Sequence, residues 1–324
     1  MRVLLVKMSS LGDVVHALTG VTDAARAIPG ISFDWVVEEA YAAIPAWHPA
    51  VRRVITCAIR RWRRSPLATF RGGHWSRFRQ ELQQEEYDLV LDAQGLIKSG
   101  IVARQARGPI AGRSAKTARE ASAALFYERS HGVNLQLTEV EQLRQLFALS
   151  LNYRYAHTPA DFGIAMDRLP SPAPHEPHAV LLHGAAWKAK LWPEQHWIAL
   201  AREIRAKGLK PMLGWGTAEE YQRATRIATA SGGQVLPKLG INELAALLRH
   251  AHFVVGLDTG LTHIAIALGT RTITLYGPSV PVYRDVAGGT LINLTSTPAL
   301  EVDTHRPNTI PLAQVLDAVS SWCS

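Results

Sequence analysis

Residues 2–18, RVLLVKMSSLGDVVHAL, decide how the rest of the chain is read. Val3 to Val6 make a short unbroken apolar run, as a strand buried on both faces does. From Val14 onward apolar residues recur at helical spacing through VVHALTGVTDAARAI, until Pro29-Gly30 ends the pattern. Between the two lies KMSSLGD, where Ser9, Ser10 and Gly12 let the chain turn sharply at the strand's carboxyl end. Strand, tight turn and helix form the unit from which parallel α/β sheets are built. Asp13, where the helix opens, has two readings: it caps the helix, or it faces an active site.

The rhythm continues outward from this stretch. ISFDWVVEE, VRRVITCA, YDLVLDAQ and GPIAGRS read as further strands, SRFRQELQQEE and GLIKSGIVARQA as helices among them, and TEVEQLRQLFALSL as the closing helix. RLPSPAPHEPH, with Pro170, Pro172, Pro174 and Pro177, has the composition of a semi-rigid linker. AVLLHG then restarts the pattern, and PMLGWG, QVLPK, FVVGLD and TITLYGP are its later strands. PEQHWIALAREIRAK, AEEYQRATRIATA, INELAALLRHA and GLTHIAIALG are the helices of this half; residues 279–307 fit neither pattern, and TIPLAQVLDAVSSW reads as a last helix. The expected architecture is α/β, with two Rossmann-like doubly wound domains facing a central cleft. The first covers 1–165, a linker 166–177 and the second 178–308, and the last helix, 309–324, returns to the first domain. Open sheets of this kind bind ligands at the carboxyl ends of their strands, so segments just after strands are the ones to inspect.

Composition narrows the function classes. A hydrophobic fraction of 47% excludes a disordered chain. No apolar stretch approaches the roughly 20 residues of a membrane span, and the run broken by Lys7 is shorter than a secretory core of about 7–15 residues. A cytoplasmic protein is expected. Cys57 and Cys323 match no metal or redox spacing and read as reduced thiols. A net charge of +8 implies an acidic partner: nucleic acid, anionic lipid or a phosphorylated substrate. AIRRWRRSPLATFRGGHWSRFR gathers Arg60, Arg61, Arg63, Arg64, Arg71, Arg77 and Arg79 around Trp62 and Trp75. This segment is either a solvated face or a phosphate-binding one, for which the arginine fork is suited.

The strongest chemical motif is FVVGLDTGLTHIAIALG. A strand stops at Asp258, and Thr259-Gly260 opens a helix whose first amides can receive a phosphate. Asp258 reads as an N-cap or as a partner for sugar hydroxyls, and with His263 one turn on the binding reading is favoured. A metal site lacks a third ligand nearby. HGAAWKAKLWPEQHW is a second phosphate candidate, with Lys188 and Lys190 in a loop after a strand. GWGTAEEYQR is a third, where Glu219 and Glu220 read as dipole partners or ribose ligands. DAQGLIKSG, with Asp92, Gln94 and Lys98, reads as structural. No Walker loop, Gly-x-Gly-x-x-Gly fingerprint or nucleophile elbow is present.

Taken together, RVLLVKMSSLGDVVHAL, FDWVVEEAYAAIPAWHPAVRRVI, AIRRWRR, YDLVLDAQGLIKS, TARE before LFYERSH, LWPEQHW and GLDTGLTHIAIAL with YGPS resemble the ADP-heptose:lipopolysaccharide heptosyltransferases, most closely their inner-core branch. The resemblance covers essentially the whole chain. It implies a GT-B glycosyltransferase needing neither cofactor nor metal. Such an enzyme moves L-glycero-D-manno-heptose, with inversion, from ADP-L-glycero-β-D-manno-heptose to the first Kdo of Kdo2-lipid A. The family's base falls on Asp13, its diphosphate lysine on Lys190, its nucleoside acid on Glu220 and its adenine-lining position on Leu239. Its donor motif matches Asp258, Thr259, Gly260, Leu261 and His263. Acceptor phosphates and Kdo carboxylates would meet Arg60, Arg61, Arg63, Arg64 and Arg119, with Ser10 and Gly12 lining the same side. One departure stands out: the family's His-Ala-Thr-Thr is His183-Gly184-Ala185-Ala186 here, so two hydroxyl donors to the diphosphate are absent. Backbone amides of Ala185 and Ala186 are left to serve at these positions, and weaker donor binding or a shifted donor preference is implied. The resemblance and the basic, Trp-containing segment imply a peripheral enzyme on the cytoplasmic face of the inner membrane, touching its anionic surface. A relative acting on a later core sugar or a protein is a competing reading. A non-enzymatic nucleotide-binding module that uses its basic face on RNA or DNA is another, but no nucleic-acid motif supports it and no nucleic-acid partner is expected.

Overall fold

Alternating strands and helices build two parallel sheets in this computed structural model, which describes residues 1–64, 73–170, 176–296 and 307–323. The chain divides into two compact units, Met1–Arg168 and Leu169–Ser324. In the first unit β1 (Arg2–Val6), β2 (Ser32–Glu38), β3 (Val51–Cys57), β4 (Leu89–Asp92), β5 (Ile110–Arg113) and β6 (Arg129–His131) pair in the order β3-β2-β1-β4-β5-β6. In the second, β7 (His178–Leu182), β8 (Lys210–Leu213), β9 (Gln234–Val235), β10 (Phe253–Leu257), β11 (Thr272–Tyr276) and β12 (Leu291–Thr295) pair in the order β12-β11-β10-β7-β8-β9. Every pairing in both sheets is parallel.

Counted from its own first strand, each sheet has the same order, 3-2-1-4-5-6. The winding therefore reverses between β1 and β4 in one unit and between β7 and β10 in the other. Such a switch point opens a crevice at the strands' carboxyl ends. Val6 lies opposite Asp92, and Leu182 opposite Gly256, so SSLGD meets AQG in the first unit and HGAA meets DTG in the second.

Burial explains why these strands hold their places. Val3, Leu4, Leu5 and Val6 are all buried, as a central strand covered on both faces requires. Helix Leu11–Ala27 packs beside helix Glu139–Leu151, and Gly20 permits the approach: a Cβ there would lie 2.6 Å from the Phe147 ring. In the second unit Trp192, Trp197, Ile204, Phe253 and Leu275 form the core. Each such side chain is worth roughly 1.5–3 kcal/mol of burial.

Three features differ from expectation. The last helix, Leu312–Cys323, buries Val315 and Val319 in the second unit's own core, with Trp322 beside Phe253, rather than in the first domain's. Its amphipathic face matches the apolar surface left by helix Glu194–Ala206 and β11. The division between units falls after Arg168, inside the stretch expected to link them; of that stretch, 171–175, including Pro172 and Pro174, lie outside the described residues. Edge strands β6 and β12 were not anticipated, the latter in the unassigned stretch 279–307. Finally, IRRWRR forms a helix, Ile59–Arg64.

Candidate active site

Asp13 belongs to the helix that follows β1. Ser10 is the N-cap, and Asp13, three residues on, accepts from the Ser10 amide and hydroxyl, both at 2.9 Å through Oδ2. That is one half of a capping box. Its other oxygen does something else. Oδ1 takes the Arg119 Nη2 at 2.8 Å and faces the Lys7 ammonium at 3.4 Å. Capping thus uses Oδ2 and the cations chiefly Oδ1, with Arg119 Nη1 also reaching Oδ2 at 3.5 Å.

Lys7 is buried at the exit of β1 and donates to the Ala93 carbonyl at 3.2 Å. Burial pushes the Asp13 carboxyl up, but Lys7 and Arg119 outweigh it and hold the group well below the usual carboxylate range. Burial pulls Lys7 down from the ordinary lysine value, against the pull of Asp13. Arg119 also bonds Glu139, at the start of helix Glu139–Leu151. Asp92, across the switch point, is occupied by the Gln94 and Gly95 amides, the Ser99 hydroxyl and the Tyr127 phenol. It braces the turn after β4, as its structural reading requires. Of the acceptor-side candidates, Ser10 is exposed and Gly12 is buried in the helix's first turn.

The arginine helix is pinned from below. Trp62 packs on Phe78 and edge-on to Trp75, at 5.4 and 5.9 Å between ring centres. Both tryptophans are half-buried and face this cluster. Arg60, Arg61 and Arg64 are left exposed, with the Arg60 amide donating to Glu38 and Arg61 pairing with Glu39. The Arg63 side chain and Arg71 lie outside the described residues.

In the second unit Lys190 reaches across the switch point. Its ammonium donates to the Asp258 carbonyl at 3.0 Å and carboxylate at 2.5 Å, while His263 Nε2 faces the other Asp258 oxygen at 3.3 Å. Burial pushes Asp258 up, but His263 and Lys190 bring it below the usual range. The N-cap of helix Gly260–Ala267 is Thr259, not Asp258, and its side chain makes no cap bond. So Asp258 holds a lysine and a histidine instead of capping.

A pocket of about 180 Å³ adjoins the β7 exit, lined by Gly184, Ala185, Ala186, Lys188, Glu220 and Arg223 among others. Glu220 accepts from the Gly216 and Thr217 amides at 2.7 and 3.1 Å, closing a capping box on helix Ala218–Ser231. Gly184 makes room for it: a Cβ at 184 would sit 2.3 Å from a Glu220 carboxylate oxygen. Leu239 lines a different hollow, of about 350 Å³, with Leu236, Pro237 and Glu243. A neighbouring depression shares Leu236 and Pro237 and adds Trp215 and Tyr221.

Lys7, Glu139 and Arg223 were missed by sequence reading. Arg223 donates to the His183 and Trp192 carbonyls and so fixes the loop after β7. Lys7 carried a signal, a charge ending an apolar strand at its carboxyl end. Among the described residues no group of three or more His, Cys, Asp or Glu could hold a metal ion, and no helix is long and apolar enough to cross a membrane.

Comparison with known proteins gives a consistent result. The model of glycosyltransferase family 9 (heptosyltransferase) matches residues 75–301. Lipopolysaccharide heptosyltransferase 1 of Pseudomonas aeruginosa PAO1 is 47% identical over 298 residues, covering 91% of this chain and 84% of that one. Among solved structures, E. coli heptosyltransferase WaaC with ADP aligns with a TM-score of 0.88 at 41% identity, over 99% of this chain and 100% of that one. The same enzyme with ADP-2-deoxy-2-fluoro heptose aligns at 0.84 and 42% identity, over 99% of each. The two sheets correspond to the GT-B arrangement of these structures.

Proposed function

Because the chain belongs to glycosyltransferase family 9, the heptosyltransferases, we propose that it moves L-glycero-D-manno-heptose from ADP-heptose to the first Kdo of Kdo2-lipid A, in building the lipopolysaccharide inner core. The first unit supplies the base and the acceptor groups, the second the donor groups. The acceptor hydroxyl oxygen attacks the anomeric carbon from the face opposite ADP. As that bond forms, Asp13 takes the hydroxyl proton, and the carbon–oxygen bond to the diphosphate breaks with its electron pair leaving on ADP. The configuration inverts.

The observation that carries this mechanism is Asp13 at the switch point of the first sheet, kept ionised by Lys7 and Arg119. General-base help is worth about 10²–10⁴-fold. Lys190, with the first amides of helix Gly260–Ala267, neutralises charge growing on the departing diphosphate. Lys190 thus supplies what a divalent cation would otherwise supply, and the transfer is read as metal-independent: chelator should leave turnover unchanged. Ala185 and Ala186 offer backbone amides alone. Glu220 takes ribose hydroxyls, and the adenine lies on the apolar wall of Leu236, Pro237 and Leu239.

The exposed Arg60, Arg61 and Arg64 suit the acceptor's phosphates and an anionic cytoplasmic membrane face. The test is acceptor choice. Offered ADP-heptose with Kdo2-lipid A or with the already heptosylated lipid, the protein is expected to turn over the first. Turnover of only the second, or of a protein acceptor, would move it within the family.

A further inference from the structure

Asp13 as drawn has a difficulty as a base. A carboxylate whose one oxygen meets two cations is firmly ionised and therefore a weak proton acceptor. The two cations are not equivalent. The Lys7 side chain is 4% exposed and tied to the Ala93 carbonyl, whereas the Arg119 side chain is 40% exposed and already shared with Glu139, itself 42% exposed. Glu139 sits in the first turn of its helix, where the macrodipole favours a carboxylate. Arg119 is thus a guanidinium held between two carboxylates with its outer side open to solvent, where a third anion can compete for it.

We propose that Arg119 is an exchangeable counterion: an anionic group on the acceptor draws it off Asp13, so the carboxylate gains basicity only when its substrate is bound. The proposal rests on the reading of Asp13 as base and names a carboxylate-bearing acceptor as the trigger. Lys7 remains as the fixed counterion that keeps Asp13 ionised. The titratable and charged groups around Asp13 are Lys7 at the end of β1, His16 on its own helix, Arg113 at the end of β5, Arg119 in the following loop, and Glu139. Of these, Arg119 alone combines a direct bond to Asp13 with an exposed side chain. Its role in the free protein is positional; in the complex it becomes an acceptor ligand.

The sign of the effect is fixed. A cation beside an acid lowers its pKa, typically by about 1–3 units, so its departure raises the value and moves the acid limb of activity to higher pH. The limb in kcat/KM reports the free enzyme and the limb in kcat the complex. Rates with ADP-heptose and varied Kdo2-lipid A, measured against pH, are expected to place the wild-type kcat limb above the kcat/KM limb. In Arg119→Gln the kcat/KM limb rises by about 1–3 pH units to meet the kcat limb, and acceptor KM rises. Arg119→Lys, which retains a single cation, moves it less. Coincident limbs in the wild type overturn the proposal without recourse to any variant, and so does a kcat/KM limb unmoved in a folded Arg119→Gln. Near-normal turnover in Asp13→Asn would instead sink the underlying reading of the base.

Discussion

Asp13 shows how one side chain serves two ends. Its Oδ2 ties the helix start to Ser10, and its Oδ1 meets Lys7 and Arg119. Asn at this third helical position can still accept from the Ser10 amide but cannot take the proton. Asp13→Asn should therefore stay folded, with a lower Tm because buried Lys7 loses its counterion, while turnover falls by about 10²–10⁴; thermal melting and initial rates on one preparation check both halves. Asp258 makes a different prediction. Its folded pKa is depressed by His263 and Lys190 against burial, so the stabilisation is complete above the ordinary Asp value of about 3.9 and lost as pH falls through the folded value. Acidification from about pH 7 to about pH 3 should cost the wild type more in Tm than Asp258→Asn. An equal loss in both would show that the pair stabilises nothing. Asp13, Lys190 and Asp258 were legible because each lies just after a strand, where a parallel sheet puts its chemistry. Which residue pairs with which was not: Arg119 is 106 residues from Asp13, and Lys190 is 68 from Asp258. Sequence spacing has no access to such pairs, which exist only once the switch point has formed.

At the scale of elements, the central strands announced themselves, and of the four edge strands β3 and β9 were read while β6 and β12 were not. β1, β7 and β10 are buried runs of apolar residues. β6 is three residues, Arg-Ser-His, mostly exposed, and β12 is half-buried LINLT; an edge strand has one neighbour and little need for continuous apolarity. Helix Ile59–Arg64 was hidden for a related reason. Its core contact comes mainly from Trp62, with Ile59 partly buried, too little for a period to show in six residues. That dependence is testable. Trp62→Ala should cost about 2 kcal/mol, below the roughly 3–5 kcal/mol of a fully buried Trp, and raise acceptor KM as the arginines lose their mount. A rise in KM as large for Trp75→Ala but none for Trp62→Ala would reverse the account. Replacing Arg60, Arg61 and Arg64 by Gln should weaken binding to anionic vesicles at low salt and flatten its salt dependence. Binding unchanged by the triple variant would locate the membrane contact elsewhere.

For the whole molecule, two copies of one topology carry two different electrostatic sites. The first unit's switch point holds an ionised carboxylate among cations, fit to remove a proton beside an anionic acceptor. The second holds a lysine on a carboxylate beside a helix N-terminus, fit to receive a diphosphate. The repeated architecture was readable from the rhythm of strands and helices. The ownership of the last helix was not, since an amphipathic helix fits any apolar surface, and its core contacts decided the matter. The measurement that bears most directly on the whole is incubation of the purified protein with ADP-heptose and Kdo2-lipid A, following ADP release and product mass together. One ADP released for each single heptosyl unit gained by the lipid is the predicted result; no ADP released, with both substrates intact, would contradict it.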